Sequence, residues 1–122
     1  MGLDLAAVLR SVPEQRRQAA TRMLISRLAA DLEMWNEPAV QVVVDALKHG
    51  FPRHDLYAQA MELLRIRLAE DPEQSRRLQA AWAIQLSVTP GHDLEVVFAH
   101  AQAALSDDWP ETSATMARMA LV

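Results

Sequence analysis

The chain has 122 residues, a net charge of −4, a pI near 5.5, and 51% apolar residues with no cysteine. That length supports one domain with one core, and the apolar content is enough to offset the entropy of ordering it. Without cysteine there is no disulfide, thiolate metal site or cysteine nucleophile, and the acidic balance argues against non-specific nucleic-acid binding.

Glycine occurs only at positions 2, 50 and 91, and aromatics make up 5%. This balance favours helix over strand and leaves no glycine-rich phosphate cradle and no Gly-x-Ser-x-Gly elbow. The opening "MGLDLAAVLR" is acidic at its front, so no signal peptide is expected. Position 6 is Ala, which removes the usual myristoylation context. No apolar run reaches membrane-spanning length, so a soluble cytoplasmic protein is expected.

Breakers fall at Pro13, Asn36-Glu37-Pro38, Gly50-Phe51-Pro52, Asp71-Pro72, Thr89-Pro90-Gly91 and Trp109-Pro110. Helical periodicity fills the intervals. A short helix is predicted over about 3–10. In "SVPE", Ser11 and Glu14 have capping-box spacing and open a helix with the stripe Ala20, Leu24, Leu28, Leu32 and Trp35. The valine run of 37–48 could be a strand, yet Val40, Val43, Val44 and Leu47 follow a helical stripe. Asn36 is a good cap and Gly50 a good terminator.

Residues 53–70 carry the broad stripe Leu56, Tyr57, Ala60, Met61, Leu63, Leu64 and Leu68, which predicts a central helix. The 72–87 segment has Asp71 as cap, Gln74 at capping-box spacing, a Glu73–Arg77 pair, and the face Leu78, Ala81, Trp82 and Leu86. Residues 93–105 show Leu94, Val97, Phe98, Ala101 and Leu105, and a last helix follows Pro110. Every connection is short, as in antiparallel hairpins.

Pro52-Arg53-His54-Asp55-Leu56 matches Pro90-Gly91-His92-Asp93-Leu94 at an offset of 38, and Pro72-Glu73 matches Pro110-Glu111 at the same offset. A single domain, 1–122, then reads as about three helix-turn-helix units, 13–51, 52–89 and 90–122. Tyr57-x2-Ala60-x3-Leu64, followed by Asp71-Pro72, resembles the second helix of a tetratricopeptide repeat. Trp82 stands where that family places glycine. The resemblance implies stacked hairpins with a concave partner-binding face, and no catalytic residues. In this frame Asp55 and Asp93 cap helices.

A metal-dependent phosphohydrolase of the HD type would use His49, His92, Asp93 and Asp107 or Asp108. The helix-capping role of the doublets is the simpler account, so no metal and no cofactor are expected. Arg10, Arg16, Arg17, Arg22 and Arg27 invite a nucleic-acid reading, with Arg16 and Arg27 on one face, against the ordinary solvated helix back. The C-terminal "TSATMARMALV" exposes Met116, Met119, Leu121 and Val122 to a partner or a second copy, or packs them back on Phe98 and Leu105. Trp82 is expected in the core, and Trp35 and Trp109 at hairpin corners.

The sequence therefore predicts an all-α fold of six or seven helices in about three antiparallel hairpins, solenoid-like or a compact bundle. The expected function is non-catalytic: an adaptor, chaperone or inhibitor that binds another protein, with a homo-oligomer as a further possibility. Its expected contacts are Trp109, Met116, Met119, Val122, Arg16 and Arg27.

Overall fold

A computed structural model describes residues 4–48, 55–89 and 93–121. Among the described residues there are seven α-helices and no strand. They are α1 (Leu5–Ser11), α2 (Glu14–Asp31), α3 (Pro38–Lys48), α4 (Asp55–Ala69), α5 (Ser75–Ser87), α6 (Leu94–Leu105) and α7 (Trp109–Leu121). Single 3-10 turns, Pro72–Gln74 and Ser106–Asp108, lead into α5 and α7. The all-α fold is thus formed, and the valine run is helical.

Aspartates open three of these segments. The Asp4 carboxylate accepts the Ala7 N–H at 3.2 Å, Asp71 that of Glu73 at 3.0 Å and Asp93 that of Glu95 at 2.9 Å. Each removes an orphan donor of a first turn. The capping box at "SVPE" does not form. Ser11 Oγ instead donates to the Val8 carbonyl at 2.7 Å, closing α1, and α2 starts directly after Pro13, whose φ is −58°. Gln74 accepts from Arg77 at 2.8 Å, and Arg77 Nε donates to the Leu32 carbonyl at 2.8 Å, so Arg77 ties α5 to the end of α2 rather than pairing with Glu73.

Helix α2 ends in a Schellman motif that needs a left-handed residue, and Glu33 supplies it with φ 55°. The Glu33 N–H donates to the Ala30 carbonyl and the Met34 N–H to the Ala29 carbonyl, at 3.2 and 2.8 Å. Met34 and Ala29 are both buried, which adds the apolar contact of the motif.

Helix α5 is the centre of the bundle. It packs between α4 and α6 and also against α2, and Ala80, Ala81, Ala83 and Ile84 are buried along it. Alanine at these positions lets the neighbouring helices approach closely. The expectation that α4 is central is corrected: among the described residues α4 packs only on α3, α5 and the turn before α5, at one edge. At the other side, α7 packs along α2 and α1. Arg27, near the end of α2, reaches Glu111 at 3.3 Å and Thr112 at 3.5 Å, near the start of α7, so these two helices run antiparallel. An open solenoid joins only neighbouring units. The α2–α7 contact instead joins early and late helices in a compact bundle.

The buried hydroxyls of the core are satisfied locally. Thr21, Ser87 and Thr112 are buried, and their hydroxyls donate to the carbonyls of Arg17, Ala83 and Asp108 at 2.9, 2.7 and 2.9 Å. Each bond runs four residues back within its own segment, so the hydroxyls cost the core little.

Candidate protein-interaction surfaces

The residues singled out by the sequence are dispersed by the fold. Met116 is fully buried, packed with Ala117 and Ala120 on the inner side of α7. It is therefore corrected from a partner contact to a core residue: closure of α7 on α2 supplies the cover that the sequence left open. Met119 and Leu121, which flank that inner side about 160° apart, are 39% and 60% exposed. Val122 lies outside the described residues.

Trp109 is half-buried, its ring 6.0 Å from that of Phe98, and so holds the corner between α6 and α7. Trp35 leaves much of its ring in solvent. Arg27 is not a free cation: it pairs with Asp31 at 3.8 Å and with Glu111 at 3.3 Å. Arg16 is exposed and stays apart from Arg27's partners.

The metal alternative rests partly on His49 and His92, which lie outside the described residues. Its third member, Asp93, is already engaged. Its carboxylate caps α6 and stands 3.5 Å from Arg10, which also reaches Glu95 at 3.4 Å. Among the described residues no three His, Asp or Glu side chains gather in a metal-binding arrangement. No helix among them is long and apolar enough to cross a membrane.

Among the described residues, shallow clefts open at two places on the surface. One, of about 250 Å³, lies between α1, α6 and α7 and is lined by Asp4, Leu5, Glu95, Phe98 and Trp109, among others. Its two carboxylates are the α1 cap and the Arg10 partner, so both are already committed. The other, of about 430 Å³, lies at the α2–α5 corner among Asp31, Glu33, Glu73 and Arg76, beside the Arg77 link.

Two constellations were not foreseen. The first is a stack across three helices. Arg65 of α4 lies 3.9 Å from the centre of the Trp82 ring, on α5, and His100 of α6 stacks on that ring at 5.5 Å and 11°. Arg65 Nε donates to Gln85 at 3.1 Å, and His100 Nδ1 is 2.7 Å from Gln79 Oε1. Desolvation lowers the His100 pKa below its ordinary value of 6.5. Trp82 is therefore half-buried, in contact with the Arg65 guanidinium and the His100 imidazole, rather than in the apolar core that its stripe predicts.

The second constellation is an exposed apolar pair on α4. Met61, Leu64 and Leu68 are buried, while Leu63 is 71% and Ile66 49% exposed. At 100° per residue Leu63 and Ile66 stand about 60° apart, on the side away from the core stripe. Beside α4, Val42 of α3 is 47% exposed. Arg67 near the end of α4 pairs with Glu37 before the start of α3, so the two helices form an antiparallel edge to the bundle. Leu63 belongs to the broad stripe that predicts a central helix, whereas Ile66 lies outside that stripe.

Family models, curated proteins and solved structures were each compared with the chain, and none matches.

Proposed function

We propose that the chain is a non-catalytic protein-interaction module that docks a partner through the outer face of α4. What supports this reading is one observation. Helix α4 has already buried one apolar stripe, yet it keeps Leu63 and Ile66 in water. A helix that is apolar on two sides belongs inside a larger assembly. The partner supplies the missing cover, as a helix laid against α4 or as a second copy of the chain. The clefts favour this over catalysis, since the carboxylates Asp4 and Glu95 that face one of them are held in capping and ion-pair roles.

The test is the double substitution Leu63→Asp/Ile66→Asp. The expected outcome is an unchanged helical spectrum with loss of the complex recovered from the native host. A complex that survives the substitution sinks the proposal.

A further inference from the structure

Five arginines among the described residues reach a carboxylate: Arg10, Arg27, Arg65, Arg67 and Arg77. Arg76 donates to the Ala104 carbonyl at 2.9 Å. Arg16 and Arg22 differ. Among the described residues neither makes an ion pair or a hydrogen bond, although the chain holds 16 acids against 12 basic residues. Both lie on the first half of α2. At 100° and 1.5 Å per residue they stand about 120° apart around the helix and about 9 Å apart along it. Ala19 and Met23, both half-buried, fall in the arc between them.

We infer that this face of α2, with Ala19 and Met23 between Arg16 and Arg22, is a second docking face, and that it takes an acidic helical segment of a protein partner. The inference is carried by charge and stands apart from the apolar face of α4. An acidic helix with carboxylates about two turns apart can meet both guanidiniums while a small apolar contact covers Ala19 and Met23. A long polyanion fits less well. The far end of the bundle gathers the end of α2, the start of α5 and the start of α7, joined through Arg77 and Arg27. That end exposes Glu33, Asp71, Glu73, Asp107 and Asp108, which repel an anion running along the molecule. The α2 face also has no aromatic ring on which a base could stack. A lipid surface needs larger apolar side chains than Ala19 and Met23 for insertion. Among the described residues α4 does not touch α2, so the two faces belong to separate helices and can be occupied together.

The experiment is an NMR titration of the full chain with a glutamate-rich peptide of about 18 residues, five helical turns, carrying leucines at three- and four-residue spacing. The expected shifts gather at Arg16, Ala19, Arg22 and Met23. Affinity is expected to fall about tenfold as salt rises from about 50 to about 500 mM. Arg16→Glu/Arg22→Glu is expected to weaken binding at least about tenfold with helicity unchanged, and Leu63→Asp/Ile66→Asp to leave it unaltered. The last arm keeps failure of this inference distinct from failure of the α4 reading. Shifts that miss α2, affinity that ignores the arginine reversal, or stronger binding of the same face to oligo-dT or phosphatidylserine vesicles would overturn it.

Discussion

Helices α4 and α7 are similar in length, 15 and 13 residues, and both carry more apolar side chains than one packed face needs. Their fates differ. Helix α7 turns Met116 wholly inward, because α2 and α1 close over it. Helix α4 keeps Leu63 and Ile66 outside, because among the described residues only α3, α5 and a short turn flank it. The difference lies in tertiary position and not in composition. A stripe becomes core when the chain returns to cover it, and stays in solvent when it does not.

The comparison breaks most sharply at Met116. Met116→Asp places a charge in a site with no exposure. It is expected to cost about 4 kcal/mol or more, read as a collapse of the urea midpoint. Met116→Ala is expected to cost about 2–4 kcal/mol through its cavity. If either variant melts like the parent, α7 is not core.

Trp82→Ala comes next, at about 2 kcal/mol, since it removes the ring shared by Arg65 and His100. A loss of helix–helix cooperativity in calorimetry would locate the effect at the α4–α5–α6 junction. Smaller still is Ser106→Gly. Ser106 closes α6 with φ 53° and ψ −113°, a region glycine enters without clash. A gain of about 1 kcal/mol in chemical denaturation is expected.

A pH series sharpens the reading of the stack. His100 has a lowered pKa in the folded chain because burial desolvates it. The unfolded chain therefore binds the proton more readily. The contribution of His100 to stability is complete above pH about 6.5 and is lost as pH falls through the folded value. In His100→Gln this part of the acid sensitivity should vanish while the rest remains. Equal acid sensitivity in both proteins would remove His100 from the account. The smallest stability effect is expected for Leu63→Asp/Ile66→Asp, within about 0.5 kcal/mol per site, because both positions are solvated.

Much of the fold was legible in sequence because breakers and stripes are local. Asp71 and Asp93 cap where their spacing to the following apolar residues placed them. Val40, Val43 and Leu47 are buried on a helix, as their spacing implied. What was not legible depends on contacts between distant segments. Trp82 reads as core until Arg65 and His100, from other helices, come to cover its ring. Glu33 gives no hint of a left-handed turn, because glycine is the residue expected there. Met116 and Leu63 look alike in sequence. Only the closure of α7 on α2 separates a core methionine from an exposed leucine.

The most direct test is native mass spectrometry of the protein purified from its host, beside Leu63→Asp/Ile66→Asp. The account predicts a mass above the 13.6 kDa monomer for the parent and the bare monomer, still helical, for the variant. A parent that is itself a bare monomer, or a variant that keeps its partner, would contradict the claim that the outer face of α4 is the docking surface.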